Sequence, residues 1–312
     1  MQKSIRYILL SVLLIGTFLL SACGQATPET IKIGVNAPIT GDIPKVGEGS
    51  KYAAEMWQTA INEAGGLDVG GTKYQVELVI EDNESKAESA VSAQTKMITQ
   101  DEVLIIIGPQ ASKQAVPAGQ VSNDNKTPMI SPWSTNPNTT LDRPWVFRAC
   151  FLDDFQGPAI ANFVTEEFGF TKAAVLYDIA SDYPKGLAEF FKTAWEGLHG
   201  AGSVVAYESF TTKDADFSAQ LTKIRDSGAE FLFTPQYYNE VALIAQHHLI
   251  AHIEAAAGRA DIRARPAGQA ALRKLLPEGI LELGRPGIQR GYLGFNFPLW
   301  RWLYSRLDPP AL

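Results

Sequence analysis

Short, uniformly apolar runs alternate along this chain with longer stretches in which apolar side chains recur every three or four positions. The runs at 31–38 ("IKIGVNAP"), 74–82, 103–108 ("VLIIIG") and 127–131 read as strands, and their lack of polar alternation suits parallel strands covered on both faces. Between them, "SKYAAEMWQTAINEA" predicts a helix with Ala53, Trp57, Ala60, Ile61 and Ala64 inward, stopped by Gly65-Gly66. "SKAESAVSAQTKMIT" predicts a second helix, with Ser85 and Glu88 spaced as a capping box, and "SKQAVPAGQVSN" a third, capped by Ser112. The pattern then restarts. Extended runs at 144–150, 172–178, 203–210 and 230–235 are interleaved with helical stretches. One carries Leu187, Phe190, Phe191 and Ala194 on one face. Another is capped by Asp216 with Phe217, Leu221 and Ile224 inward, and a last helix opens at "NEVALIAQ". Strand–helix alternation of this kind demands parallel sheets covered on both faces, so the expected class is α/β, with two doubly wound lobes. Ligands of open α/β sheets lie at the carboxyl ends of the strands. Here those ends fall at 38–41, 108–112, 131–135, 178–183 and 235–238.

The first residues stand apart. "MQKSIR" is cationic and "YILLSVLLIGTFLL" apolar, the layout of an export signal. The segment ends in "LSAC", similar to the bacterial lipoprotein box, so Cys23 is the expected lipidation site; a plain signal peptide or one membrane helix is the alternative. "GQATPET" reads as a tether. With Cys23 so used, Cys150 has no partner and reads as a packed small residue. The formal net charge of −7 argues against a nucleic-acid partner, which needs a basic face.

Enzyme signatures are missing: the chain has no GxSxG, HExxH, P-loop or GxGxxG. His248 and His252 share a helix face, but no further ligands accompany them, so neither metal nor cofactor is expected. What remains is a set of small donors at the strand ends. Ser112, where a helix begins, offers a hydroxyl, free N–H groups and the positive end of the helix dipole; "SPWSTNP" adds Thr135 and the 133–135 backbone. A carboxylate is the natural guest, and nothing activates a nucleophile.

The blocks "IKIGVNAPITGDIPKVGEGSKYAAEMWQTAINEAGGLDVGGTKYQVELVIEDNESKAESAV", "IIIGPQASKQAVP", "TPMISPWSTNPNTT", "FRACFLDDFQGPAIANFV", "AAVLYDIASDYPKGLAEFF" and "DFSAQLTKIRDSGAEFLFTPQYYNEVALIAQ" resemble, in order, the branched-chain amino-acid-binding proteins of ABC transporters. The resemblance covers about residues 30–246. It implies a type I periplasmic-binding fold, two lobes closing by a hinge on an amino acid or related zwitterion or amide, delivered to permease subunits, with a sensory receptor as the alternative use of the fold. It places Ser112 and Thr135 on the ligand's carboxylate, Trp133 and Ser134 in the loop that touches the ligand, and Tyr183 and Tyr237 (or Tyr238) on the closing lobe. Two departures matter. Val46 stands where an aromatic is common, and Trp133 where a small residue is common, so Trp133 is either ligand wall or interlobe packing.

The implied layout is a signal peptide at 1–22, a tether at 23–30, lobe one at 31–143, a partial lobe two at 144–246 and an atypical tail at 247–312. Net charge changes from −11 up to Gln246 to +4 beyond it, and 31 of the last 66 residues are Ala, Gly, Pro or Arg. The family's "GGD" strand and its acidic ligand group do not follow. A frame-shifted or foreign tail is therefore expected from about residue 247, with an incomplete C-terminal part, exposed apolar sheet surface and weak or no ligand binding; a genuine lineage-specific ending is the alternative.

Overall fold

The computed structural model describes residues 29–257. The expected signal peptide, its Cys23 and the tail beyond 257 lie outside the described residues.

The first sheet has six strands in the order β2-β3-β1-β4-β5-β6. They are β1 (Thr30–Ala37), β2 (Leu67–Val69), β3 (Thr72–Asp82), β4 (Ile105–Ile107), β5 (Met129–Ser131) and β6 (Val146–Arg148). All pair in parallel except β2, which folds back antiparallel on β3. The sequence pattern did not single out β2. It is joined to β3 by Gly70 and Gly71, both at positive φ (61° and 89°), the geometry of a two-residue hairpin turn. Helix α1 (Pro44–Glu63), α2 (Ala87–Thr99) and α3 (Ser112–Asp124) complete the lobe. Val35, Ala37 and Ala54 make one core under α1; Ala93, Met97, Val103 and Ile106 make another under α2.

The extended stretch at 144–150, expected to open lobe two, instead supplies β6, which pairs with β5 at the edge of the first sheet. The second sheet is β8-β7-β9, all parallel: β7 (Ala173–Asp178), β8 (Val204–Phe210) and β9 (Phe231–Phe233). Helices α4 (Asp153–Phe168) and α5 (Asp182–His199) cover one face, and α6 (Ser218–Asp226) and α7 (Tyr238–Ala257) the other. β7 divides its side chains between them. Ala173 and Val175 pack with Leu187, Phe191 and Trp195, whereas Ala174 and Leu176 pack with Phe217, Leu221, Ile224 and Ile244. The inward face expected for α6 is thus the one observed.

Four local expectations are corrected. On α1, Ala54 is buried, whereas Ala53, Ala60 and Ala64 are exposed and Trp57 is 37% exposed. The helix instead turns Gln58 and Asn62 to the sheet, where both amides donate to the Val76 carbonyl at 2.9 Å. Ser85 does not cap α2, which begins at Ala87. It sits at φ 58°, and its hydroxyl accepts from Asp42 N at 3.0 Å and donates to Thr40 O at 3.0 Å, tying down the β1–α1 loop. Ser112 is the first residue of α3, with Ala111 as its N-cap and no side-chain cap. Asp216 accepts from Ser218 N at 2.9 Å where α6 starts, but the N-cap of that helix is Phe217, not Asp216. Helix α7 runs through residue 247 to Ala257, so the change of composition there is not a break in secondary structure. The side chains of His248 and His252 lie outside the described residues. Large apolar side chains stand exposed on this first lobe, among them Met56 (73%), Leu104 (63%) and Phe147 (51%).

Candidate functional site

The carboxyl ends of β4 and β5 bring Ser112, Ser134 and Thr135 together. Ser112 and Ser134 are 1% exposed, so their hydroxyls need partners inside the protein. Ser134 Oγ donates to Ser112 Oγ at 2.8 Å and lies 2.6 Å from Thr139 Oγ1. The turn is pinned from below: Ser131 Oγ donates to the Pro109 carbonyl at 2.6 Å and accepts from Ser134 N at 3.1 Å. Arg148, on β6, closes the outside. Its guanidinium donates to the carbonyls of Ser134 (3.0 Å), Asn136 (3.0 Å) and Pro137 (3.1 Å) and to the Thr140 hydroxyl (2.6 Å). The Cys150 thiol donates to the Ser134 carbonyl at 3.3 Å, and burial pushes it above the usual thiol range, so it is a packed group and not an activated nucleophile. The hydroxyl of Thr135 is buried and meets no partner in hydrogen-bonding geometry.

The second lobe lays an aromatic row against this turn. Tyr237 stands 5.9 Å from Trp133 and 5.4 Å from Tyr183, ring centre to ring centre. Trp133 is therefore packed across the lobes while remaining 36% exposed. Burial pushes the phenols of Tyr183 and Tyr237 above the usual tyrosine range, and the Tyr237 hydroxyl is also unpartnered. Tyr238 does not join the row. Its hydroxyl accepts from Lys45 N at 3.3 Å and so bridges to α1. Two further contacts join the lobes, Asn136 Nδ2 to the Asp182 carbonyl (3.0 Å) and Lys213 to Asp42 (3.4 Å).

Several buried polar groups here were not singled out in the sequence. Asp153, at the start of α4, is fully buried with both carboxylate oxygens unpartnered. Gln110 and Gln236, just past β4 and β9, are buried with unpartnered amides. Glu240, in the first turn of α7, is 4% exposed and lines a cavity of about 20 Å³ between the lobes with Asp42, Lys113, Gln114 and Asp178. Burial, reinforced by Asp178 and Asp42, pushes its carboxyl up to about 7. Most buried polar groups in folded proteins are paired. The concentration of unpaired ones between the two sheets is thus the physical mark of the site, and it is visible only in three dimensions.

The chain matches the periplasmic binding protein family over residues 30–259. It is 34% identical over 225 residues to Leu/Ile/Val-binding protein homolog 3 of Brucella melitensis, covering 71% of this chain and 58% of that protein. It is 32% identical over 229 residues to a leucine-, isoleucine-, valine-, threonine- and alanine-binding protein of Pseudomonas aeruginosa, covering 73% and 59%. Among solved structures, the branched-chain amino-acid transporter substrate-binding protein LivJ of Streptococcus pneumoniae, in complex with isoleucine, is 34% identical with a TM-score of 0.64, covering 70% of this chain and 61% of that one. The chain thus spans a little under three fifths of the length of these curated relatives. Two parallel-sheet lobes, the interlobe cleft with its hydroxyl turn and aromatic row, and the family match together make this chain a member of the periplasmic binding protein family of type I fold, whose members bind solutes and are not enzymes.

Proposed function

We propose that this protein is the extracytoplasmic solute receptor of an ABC importer. It captures an amino acid, either branched-chain or a related small zwitterion or amide, and is held by a lipid on Cys23 at the outer face of the cytoplasmic membrane. The observation that carries the reading is the pairing of a buried hydroxyl turn on lobe one with an aromatic row on lobe two. Ser112, Thr135 and the N–H groups at the start of α3 suit a carboxylate. Trp133, Ser134, Tyr183 and Tyr237 line the rest, and the aromatic rings suit an apolar side chain. The names of the relatives support the ligand class. The altered composition begins at about residue 247, inside the family match that ends at residue 259, and we take the tail from there on to be frame-shifted or foreign to the ligand-binding architecture; sequencing the gene around codon 247 tests that point.

Calorimetric titration of the mature protein with an amino-acid panel that includes amides and urea tests the ligand class. The expected result is saturable heat with at least one branched-chain amino acid or related compound, weakened by the incomplete C-terminal part and lost in the Ser112→Ala/Thr135→Ala double variant while the fold is kept. A blank against the whole panel overturns the reading. Cys23→Ala is expected to release the protein from the membrane fraction.

A further inference from the structure

We propose that Glu240 makes the seam between the lobes a proton-sensitive latch: closing the lobes takes up one proton on its carboxyl, so the cleft shuts more firmly as pH falls below neutral. This goes beyond the solute-receptor reading and rests on the two-lobed fold alone. Glu240 belongs to lobe two, in the first turn of α7, and is 4% exposed. Its Oε1 accepts from Asn239 Nδ2 at 2.9 Å, and its Oε2 meets no donor in hydrogen-bonding geometry. The carboxyl faces the cavity of about 20 Å³ at the seam, whose walls include Asp42, Lys113 and Gln114 of lobe one and Asp178 and Thr212 of lobe two. A cavity of that size has room for about one water, too little to hydrate a carboxylate.

Each element at the seam brings its own charge. The β1–α1 loop brings Asp42, which meets Lys213 Nζ of the opposite lobe at 3.4 Å; that lysine is 74% exposed, so water screens the pair. The end of β7 brings Asp178, which accepts from Ala180 N, Thr212 N and the Thr212 hydroxyl. Helix α3 brings Lys113, which makes no ion pair among the described residues. Helix α7 brings Tyr238, whose hydroxyl accepts from Lys45 N at 3.3 Å, and Tyr237 just before it lines the same cavity. Glu240 is therefore flanked by two carboxylates, one from each lobe, and among the described residues it is paired with no cation. Burial, with Asp178 and Asp42 adding to it, pushes its carboxyl up to about 7. Parting the lobes withdraws Asp42 and admits water, and both changes favour the charged form. The closed form thus keeps the proton up to about 7, whereas the open form releases it nearer the ordinary 4.5. Between those values closing binds a proton, and the closing equilibrium strengthens by up to about tenfold for each unit of pH lost; at higher pH it is flat.

The test is small-angle X-ray scattering of the ligand-free mature protein at about pH 5 and about pH 8, for the wild type and Glu240→Gln, with thermal melting of both. The wild type is expected to be more compact at the lower pH, its closing equilibrium favoured there by roughly 100-fold. Glu240→Gln, which keeps the neutral shape of the acid, is expected to be as compact at the higher pH as the wild type is at the lower. Asp153 and His247 stay in both proteins, so their titration cancels from the comparison. A wild-type radius of gyration that is the same at both pH values overturns the proposal, as does a change of equal size in Glu240→Gln. A Glu240→Gln protein that is expanded at both pH values and melts below the wild type at the lower one shows a structural carboxyl and also overturns it. Asp42→Asn leaves Glu240 in place and removes the opposite lobe's charge. The difference in radius between the two pH values is then expected to shrink, and an undiminished difference overturns the latch. No ligand is present in these measurements, so their outcome is independent of which solute the protein binds.

Discussion

Asn36 sits at the end of β1, fully buried, and holds three elements of lobe one in register. Its Nδ2 donates to the Ala90 carbonyl and to Gln94 Oε1, both at 2.9 Å, and its Oδ1 accepts from Asn83 Nδ2 at 3.0 Å. The ladder continues on both sides. Gln94 Nε2 donates to Ser122 Oγ on α3 at 2.7 Å, and Asn83 Oδ1 accepts from Ser85 N at 3.1 Å. Asn36→Leu keeps the branched shape and removes the centre of this network. Gln94 Oε1 and Asn83 Nδ2 are then stranded in the interior; at about 1–3 kcal/mol for each unpaired buried group, the loss is about 2–6 kcal/mol. Against a typical domain stability of about 5–15 kcal/mol, that is a large fraction. Urea denaturation followed by tryptophan fluorescence measures it. Replacing both partners is expected to be milder than adding the two single costs, because the double variant Asn36→Leu/Asn83→Leu no longer strands the Asn83 amide. A single-variant cost below about 1 kcal/mol, or strict additivity in the double variant, would refute the reasoning.

Gly157→Ala places a Cβ 2.7 Å from Phe191 N where α4 crosses α5, and is expected to destabilise by about 1–3 kcal/mol. Gly197→Ala, on the same α5 with open space around it, is expected to stabilise by up to about 1 kcal/mol; chemical denaturation of both variants checks the contrast. Glu240 has its carboxyl raised from 4.5 to about 7, so the folded state binds more protons than the unfolded chain between those values. Stability is therefore expected to fall by up to about 3 kcal/mol as pH rises from about 4.5 to 7, then to level off. Glu240→Gln removes that slope, so its melting temperature gains on the wild type at pH 8 relative to pH 5; parallel curves contradict this. Arg148→Met removes the one guanidinium that ties the Ser134, Asn136 and Pro137 carbonyls together, leaving each only its local partner, and limited proteolysis is expected to cut the 134–137 turn faster than in the wild type.

By itself the sequence determined the class of fold and the order of its elements. Unbroken apolar runs such as "VLIIIG" can only be parallel strands covered on both faces or buried helix, and their spacing with helical stretches leaves little choice of topology. It also brought Ser112, Trp133, Ser134, Thr135, Tyr183 and Tyr237 forward, since strand ends locate the cleft and the block resemblance orders it. Tertiary structure decided where each apolar stripe points and which polar groups are left without partners. On α1 the apolar residues admit two faces, and only packing against β3 shows that Gln58 and Asn62 turn inward to the Val76 carbonyl. Ser85 has the spacing of a cap yet binds the β1–α1 loop, because a hydroxyl goes to whichever donors the fold brings near. Residues 144–150 have the apolar pattern of any strand, and pairing across the sheet alone assigns Val146–Arg148 to lobe one. Asp153 reads in sequence as an ordinary acidic residue at a helix start. Its isolation from every donor depends on Thr135, Gly186 and Arg148, which lie apart along the chain and meet it only in the fold.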